Sequence, residues 1–402
     1  MLRIHDSRTG TAEEIAAGRA LRTYACGTAV TGRPDGRSGP DGGAGGFPGG
    51  RPDGRPGLGE LRSLLLADLI RRILERGRVR VVACSPRGSG EAGAQALRDA
   101  AALNCRPAEH APSVAETIPY VVELVRALVE KGHAYVAPEG PVFFDAGSFP
   151  GLPPLPAGER SEGGRSPADW VLWLPSGGEP SWDSPWGRGV PGPHVVCSAV
   201  ALGLLGGRVD VHVGGAGPRR PYEDRERAQS DAAAGREVAR HRVHAADVRF
   251  DDREPGEHAR EGEAPPPDTG DAGDTGDAGV SLAEVVGAGL DPLAVRMAFL
   301  EHHYRRPIVL TWDSLRAADR AVRDWRTLVA EWSESPSAPM AAEYVKRVEA
   351  ALDDDLDTPA ALRALRELAA DASVPPGTKF ESFLHVDQVL GLDLSSDIGK
   401  SR

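Results

Sequence analysis

The chain has 402 residues, 40% of them hydrophobic and 5% aromatic, and its 47 basic and 59 acidic residues give a net charge of −12. This length and apolar content exclude a wholly disordered chain and predict two or three domains. The net negative charge argues against a protein that coats nucleic acid, although a local basic groove is compatible with it. Because no apolar run approaches the roughly 18 residues that cross a bilayer, and no signal-peptide core is present, we expect a cytoplasmic protein with no membrane partner.

The four cysteines are too few for a disulfide framework in a chain of this length. We therefore expect free thiols or metal ligands at Cys26, Cys84, Cys105 and Cys197.

Glycine and proline concentrate first in residues 31–57, where 27 residues contain 11 glycines, five prolines and one large apolar residue, Phe47. Such a segment buries too little apolar surface to offset the entropy of ordering it, so we predict a mobile loop. It lacks the lysine of a G-x-x-x-x-G-K-[ST] loop, and its prolines remove amide donors, so a phosphate-binding loop is not expected.

After residue 57 the sequence shows the hydrophobic patterns of helices and strands. Residues Glu60–Arg76 carry apolar side chains at i, i+4 spacing and predict a helix with one buried face, ended by Gly77. The β-branched run Val79–Cys84 predicts a buried parallel strand. Further along, the patterns predict a helix over Val114–Lys131, a strand over 133–136 and an interior strand over Val209–Val213.

Residues 251–279 form a second low-complexity segment, with ten acids against two arginines and the sequence DTGDAG twice in succession. We predict that this acidic segment is disordered, and it carries −8 of the −12 net charge. The remaining chain is therefore close to neutral.

After the acidic segment the chain is predicted to be helical, with Thr358 as the N-cap of the helix that starts with Pro359. The predicted helices are Leu282–Val286, Pro292–Tyr304, Trp312–Trp332, Met340–Leu352 and Pro359–Ala372. The predicted architecture is an α/β body followed by an α-helical C-terminal region.

Several motifs occur in order along nearly the whole chain. They are YACG at Tyr24–Gly27, GEPSWDSPWGRGVPGPHVVCSA at Gly178–Ala199, VDVHVGG at Val209–Gly215, and the late LDDDLDTPAALRALRELA with VLGLDL. In this combination they resemble the class I cysteinyl-tRNA synthetases and their relative, the cysteine ligase of mycothiol biosynthesis.

The resemblance implies a Rossmann-like class I synthetase catalytic domain that is split by an insertion. It divides the chain into a first Rossmann-like half (1–110), a helix and connective-peptide-like insertion (111–190), a second half (191–250), the acidic loop (251–279), stem-contact-like helices (280–335) and a C-terminal helical region (336–402). The chain ends soon after VLGLDL, so no anticodon-binding module is expected, which weighs against tRNA as a partner and favours the mycothiol-ligase branch.

The family's zinc site implies a metal site in this chain. By resemblance Cys26 and Cys197 supply thiolates and Glu226 a carboxylate, while the family's histidine is replaced by Tyr222 and Glu223 could substitute as an oxygen ligand. Such a site would bind zinc less well than one with histidine. Two interpretations stay open: a weakened zinc site, or thiols inherited in a site that has lost its metal.

The family's ATP-binding motifs align with residues that lack the histidine and lysine side chains of those motifs. The HIGH motif, which holds phosphates at a helix N-terminus, falls on Gly57–Glu60, and the two lysines of KMSKS fall on Glu254 and Glu257. The aspartate of GGGSD is Gly217. The alignment therefore argues against ATP binding and assigns no catalytic residue.

By resemblance the substrate contacts are Gly27, His194, His212, Gly214 and Gly215. The leading hypothesis is a degenerate paralogue that does not adenylate cysteine and binds a cysteine or thiol ligand or a protein partner. The alternative is an active ligase that joins cysteine to an amine, as the mycothiol ligase does, or to tRNA(Cys).

Overall fold

The computed structural model describes residues 1–16, 18, 20–25, 57–88, 90–138, 140–152, 163–192, 194–215, 223–251 and 280–400. The two segments that we predicted to be mobile and disordered lie outside these residues, apart from Gly57 and Asp251 at their ends.

The described residues form strands and helices that alternate in the first 250 residues, whereas helices dominate after residue 280. The strands are β1 (Arg3–Asp6), β2 (Thr11–Glu14), β3 (Ala20–Ala25), β4 (Arg80–Cys84), β5 (Ala134–Val136), β6 (Val142–Phe144), β7 (Trp170–Pro175), β8 (Gly189–Pro191), β9 (Val209–Gly215), β10 (Ala239–Ala245), β11 (Val248–Asp251) and β12 (Ile308–Thr311). The α-helices are α1 (Leu58–Arg76), α2 (Gly90–Ala102), α3 (Val114–Glu130), α4 (Val195–Gly203), α5 (Asp224–Ala234), α6 (Leu282–Gly287), α7 (Leu293–Leu300), α8 (Trp312–Trp332), α9 (Ala342–Asp353), α10 (Thr358–Ala370) and α11 (Pro376–Leu390).

A parallel sheet with the strand order β10-β9-β3-β4 forms the centre of the α/β part. Strand β9 pairs with β10 on one side and with β3 on the other, so the prediction of an interior strand at Val209–Val213 is confirmed. The order places strands from both halves of the sequence side by side, as a Rossmann-like domain split by an insertion requires.

The segment between the two halves carries a separate antiparallel sheet, β5-β6-β7-β8. Helix α3 packs against α4. Its buried apolar side chains belong to the same apolar cluster as Phe144, Trp170 and Trp173 of this sheet. Strands β1 and β2 form an antiparallel pair against β10, and β11 pairs with β12 in parallel.

Helix α1 lies between the central sheet and the C-terminal helices, which explains its apolar surface. Leu61, Ile70 and Ile73 are buried in a cluster that also contains residues of β3, β9, α7, α8 and α11. Among the described residues, no helix is both long and apolar enough to span a membrane.

Two predicted helix boundaries are wrong for identifiable reasons. Helix α7 ends at Leu300 rather than at Tyr304, because the Tyr304 carbonyl accepts a hydrogen bond from Ala246 N at 2.8 Å and its hydroxyl donates to Asp355. The N-cap of α10 is Asp357, whose carboxylate accepts from Ala360 N at 3.0 Å, and not Thr358. The sequence patterns also left several elements without a prediction, among them β1, β2, β3, β10, α2, α4 and α11.

One buried charge cluster ties α1 to distant parts of the chain. The Asp68 carboxylate accepts a hydrogen bond from Arg72 Nε and another from Arg296 Nη2, both at 2.7 Å. Arg296 also donates to the carbonyls of Leu103 and Leu390. Burial opposes the ionisation of Asp68, but the two guanidinium groups outweigh it and hold its pKa below the usual value.

We expect Asp68→Asn to lower the free energy of unfolding by about 3–5 kcal/mol, because it leaves two buried cations without their counter-charge. Since the folded pKa of Asp68 is lowered, its contribution is present above the unfolded pKa and is lost as the pH falls through the folded pKa. Urea denaturation at pH 7 and at lower pH measures both effects. The exposed Asp313→Asn is the matched control, and equal stability of the two variants would contradict the expectation.

Candidate functional site

The carboxyl ends of β3, β9 and β10 lie at one edge of the parallel sheet, and the N-terminus of α1 lies beside that edge. A Cβ atom added at Gly215 would lie 3.3 Å from Ser63 Oγ of α1, and one added at Gly59 would lie 3.9 Å from Val248 Cβ. The predicted substrate residues Gly214 and Gly215 therefore lie next to the start of α1. In open parallel sheets this edge is the usual place for ligands.

A carboxylate caps the N-terminus of α1 at this edge. Glu60 Oε2 accepts a hydrogen bond from Gly57 N at 3.1 Å, which is one arm of a capping box. Burial raises the pKa of Glu60, and the bond from Gly57 opposes that rise. The side chain thus turns back onto the helix end, where backbone N–H groups and the helix dipole favour negative charge.

Arg62, a basic side chain near this end of α1, holds the backbone of neighbouring segments. Arg62 is buried and donates from Nη1 to the Ala246 carbonyl at 2.7 Å and from Nη2 to the His303 carbonyl at 3.1 Å. Burial lowers its pKa to about 10, so it stays charged at neutral pH. This bonding fixes α1 against the chain after β10 and against the end of α7.

A buried polar cluster lies below the same edge, between α4, α5 and β9. Glu226 Oε1 lies 3.4 Å from His194 Nδ1, and Glu226 Oε2 lies 3.6 Å from His212 Nε2. Cys197, His212 and Glu226 line one small cavity together with Tyr24 and Arg242. The cavity has room for about one water molecule.

Local structure fixes the side chains of this cluster. His194 is the N-cap of α4 and has a left-handed backbone with φ of 67°, so the chain turns sharply just before Cys197. The Ser198 hydroxyl lies 2.9 Å from Gln229 Oε1 and 3.1 Å from the Glu226 carbonyl, which holds α4 against α5. Small residues in α4 allow this close approach.

Ionisation in the cluster follows from burial and from its charged neighbours. Burial, with help from Arg242, lowers the pKa of His212 to about 4 although Glu226 opposes it, so this ring is neutral at pH 7. Burial would raise the pKa of Glu226, but the hydrogen bond from His194 and the positive charge of Arg242 contribute to lowering it. Glu226 is therefore an ionised carboxylate facing neutral His212.

Glu223 belongs to a second set of contacts. Its Oε1 lies 3.2 Å from Arg242 Nη1, and its Oε2 lies 2.7 Å from His244 Nε2. Burial opposes ionisation, but the hydrogen bond and charge of His244 and the charge of Arg242 lower the pKa of Glu223 to about 2. Ser7 bonds to the other ring nitrogen of His244. Both Glu223 oxygens are thus occupied by cationic or N–H groups.

The described part of the cluster does not fit a zinc ion by itself. Among the residues that the structure describes, the one group of three or more ligand atoms within 4.8 Å of each other lies elsewhere. The buried Arg242 guanidinium, 3.3 Å from His212 Nδ1, also places a fixed positive charge beside the cavity. Cys26 lies outside the described residues, so the predicted zinc site stays a prediction.

Comparison with known proteins assigns the family. The family model of the tRNA synthetases class I (C) catalytic domain matches residues 89–255. The cysteine–tRNA ligase of Alkalilimnicola ehrlichii is 33% identical over 289 residues, which are 68% of this chain and 58% of that protein. The cysteine–tRNA ligase of Opitutus terrae is 35% identical over 323 residues, covering 74% of this chain and 65% of that protein.

The chain belongs to the class I cysteinyl-tRNA synthetase family. It spans about three fifths of the length of these two curated relatives. The structure of a putative arginyl-tRNA synthetase from Campylobacter jejuni is similar in fold, with a TM-score of 0.50 at 10% identity over 94% of this chain and 90% of that one. These findings confirm both the family resemblance and the Rossmann-like class I fold.

The structure brings together most of the residues that family resemblance had singled out. His194, Cys197, His212 and Glu226 share one cluster, and Gly214 and Gly215 lie at the adjacent strand end, whereas Gly27 lies outside the described residues.

Arg242 and His244 were missed as partners of Glu223. Their spacing of two residues in a strand, which places both on one face, is the signal that could have indicated them.

We expect the free energy of unfolding to fall by about 3 kcal/mol between pH 6.5 and pH 4 because of His212. Its folded pKa of about 4 lies below the unfolded value, so the unfolded chain binds a proton in this window while the folded chain does not. Urea denaturation across this window, compared with His212→Asn, isolates the contribution. His302→Asn at an exposed histidine is the control. A His212→Asn variant with the parent's full pH slope would contradict the assignment.

Proposed function

We propose that this chain is a cysteinyl-tRNA synthetase family member that does not adenylate cysteine with ATP and acts as a binding or scaffolding paralogue. The observation that carries the proposal is the Glu60 carboxylate at the N-terminus of α1, bonded to Gly57 N. In the family this is the position of the HIGH motif, whose histidines hold phosphates.

The charge at the N-terminus of α1 determines which ligands can bind there. A helix N-terminus binds phosphate because its N–H groups and dipole are free to meet an anion. Here Glu60 already accepts from one of those N–H groups. Two unit charges 4 Å apart interact by about 1 kcal/mol in water and about 4 kcal/mol near a protein surface, and a triphosphate carries several charges. ATP is therefore repelled where the family binds it.

The charge pattern of the second ATP motif supports the same proposal. Glu254 and Glu257 stand where the KMSKS lysines align, and both lie outside the described residues, so this argument rests on the sequence alone. Lysines there would neutralise the pyrophosphate leaving group, whereas glutamates add negative charge to it. The alignment therefore assigns carboxylates to both positions at which the family binds the triphosphate.

The cluster around Cys197 is the proposed site for a cysteine or other thiol ligand. His194, His212 and Glu226 remain close to Cys197, and Arg242 adds a positive charge that suits a carboxylate. Because the present cavity accepts about one water molecule, a ligand requires side chains to move. A protein partner is the other proposed ligand, in keeping with a scaffolding role.

The second candidate function is an active cysteine ligase that uses an amine or tRNA(Cys) as acceptor. Family membership and the match of a catalytic-domain model over residues 89–255 favour it. It requires ATP to bind in spite of Glu60, so the two functions differ in one measurable step.

Cysteine-dependent ATP–pyrophosphate exchange is expected to stay at the background of a reaction without enzyme, because Glu60 lies at the N-terminus of α1 and the KMSKS lysines align with glutamates. The cysteine–tRNA ligase of Alkalilimnicola ehrlichii, assayed in parallel, is the positive control. Robust exchange by this chain would overturn the proposal in favour of the ligase, and added tRNA(Cys) or an amine would then identify the acceptor.

Glu60→Gln is expected to strengthen ATP binding at least about five-fold, because it removes one repulsive charge worth about 1 kcal/mol while keeping a side chain of similar size. Isothermal titration calorimetry with ATP measures the change. Glu75→Gln, at the opposite end of α1, is the matched control and should leave ATP binding as it is. An unchanged affinity of Glu60→Gln would show that this carboxylate is not what excludes ATP.

A further inference from the structure

Three ligand-type side chains meet where the β1–β2 hairpin packs against β10. Asp6 ends β1, Glu13 lies in β2 and His241 lies near the start of β10. One ligand atom from each residue lies within 4.8 Å of the other two. None of these residues belongs to the cluster around Cys197.

The fold brings the three together from opposite parts of the sequence. Strands β1 and β2 pair in antiparallel register, and Ser7 N donates to the Arg242 carbonyl at 2.8 Å, which fixes the end of β1 beside β10. His241 contacts the hairpin, whereas its neighbour Arg242 contacts Glu223, as the alternation of side chains along a strand requires.

Two of the three ligand atoms are buried without a hydrogen bond. Within the described part of the chain, Asp6 Oδ2 and His241 Nδ1 have no hydrogen-bond partner, and their side chains are 0% and 9% exposed. The other Asp6 oxygen accepts from Arg8 N at 2.8 Å. Because buried polar atoms almost always have a partner, these two indicate a missing one.

The distances between the imidazole nitrogen and the two carboxylate oxygens suit a metal ion bound between them better than direct hydrogen bonds. His241 Nδ1 lies 3.5 Å from Glu13 Oε2 and 3.8 Å from Asp6 Oδ2, which is too far for a strong hydrogen bond. Ligands bonded at roughly 2.0–2.1 Å to a tetrahedral zinc ion lie about 3.4 Å apart. Small movements of the side chains would therefore bring both pairs to bonding geometry.

Charged groups around the three residues compete with a metal ion for the Asp6 carboxylate. Arg8 Nη2 lies 3.6 Å from Asp6 Oδ2, but this guanidinium is partly exposed, pairs with Glu237 and donates to the Arg240 carbonyl. Burial lowers the pKa of His241, with the charges of Arg240 and Arg8 acting in the same direction and those of Asp6 and Glu13 opposing it. A neutral imidazole with an open lone pair is the form that binds metals.

Glu13 provides a solvent-accessible and oriented ligand. Its side chain is one third exposed, so an ion can enter from this side. The Thr9 hydroxyl donates to Glu13 Oε1 at 2.6 Å and leaves Oε2 facing His241. Support of this kind from a second residue is typical of metal ligands.

We propose that Asp6, Glu13 and His241 bind one divalent transition-metal ion of the zinc class, at a site separate from the cluster around Cys197. Two carboxylate oxygens, one imidazole nitrogen and a water complete four-fold coordination without a thiolate. The ion joins the β1–β2 hairpin to the edge of the central sheet and supplies the partner that Asp6 and His241 lack.

Zinc content after chelator treatment, reloading with ZnCl₂ and dialysis tests the proposal, with mass spectrometry giving zinc per chain. The parent chain is expected to hold one zinc more than Asp6→Asn or Glu13→Gln, and zinc affinity should fall at least about ten-fold in both variants. Glu14→Gln, at the exposed neighbour in β2, is the matched control and should retain the parent's zinc content.

Cys197→Ser distinguishes this ion from one at the family site, because it should keep the zinc that Asp6→Asn loses. Cobalt bound to the parent through these ligands should give visible d–d bands that survive in Cys197→Ser and disappear in Glu13→Gln. Circular dichroism establishes that each variant folds, and Glu13→Gln is expected to fold because its side chain lies at the surface. Unchanged zinc affinity in folded Glu13→Gln, equal loss in Glu14→Gln, or loss in Cys197→Ser alone would overturn the proposal.

Discussion

The buried Asp68 carboxylate is the interaction on which the arrangement of this molecule depends. It neutralises Arg72 and Arg296. Their remaining N–H groups donate to backbone carbonyls directly after α2 and at the end of α11. Desolvating these three charges is costly unless all of them are paired. The C-terminal helices therefore contact the α/β part in one relative position, since another position would leave a charge buried alone.

That packing fixes α1, and α1 fixes the candidate site. The helix starts beside the carboxyl ends of β9 and β10, so the chemistry of its first turn decides what can bind there. A family that uses this point for phosphates needs donors or cations, whereas this chain has Glu60. The core charges keep the fold of the family while the charge at the site differs, so membership of the family is compatible with the non-adenylating function that we propose.

The regular elements were predictable because burial imposes a period that the sequence displays. Leu61, Leu65 and Ile73 repeat with the period of the helix, and the valines at every second position of β9 repeat with the period of a strand. Helix ends were less predictable, because Tyr304 leaves α7 to satisfy contacts with Asp355 and Ala246 that are distant in sequence. Family resemblance singled out Cys197 and Glu226, but it gave no signal for Arg242, whose place beside them is seen only in the structure.

The metal-ligand group at the hairpin could not be predicted from the sequence, for a related reason. Asp6 and His241 are separated by 235 residues and follow no common motif, and only the packing of β1 against β10 brings them together. Neither hairpin strand is apolar enough to give a clear strand pattern. Sites built from ordinary polar residues on separate strands need the three-dimensional structure before their chemistry can be read.

The anchoring of α1 at both ends has a consequence for how this family can vary. Arg62 ties its first turn to Ala246 and His303, and Arg72 ties its last turns to Asn104 and Gln388. The position of the helix is thereby set by contacts from outside the connection that leads to it from β3. Substitutions or insertions in the sequence before α1 therefore leave these contacts in place, so the helix can keep its position while the sequence that precedes it varies during evolution.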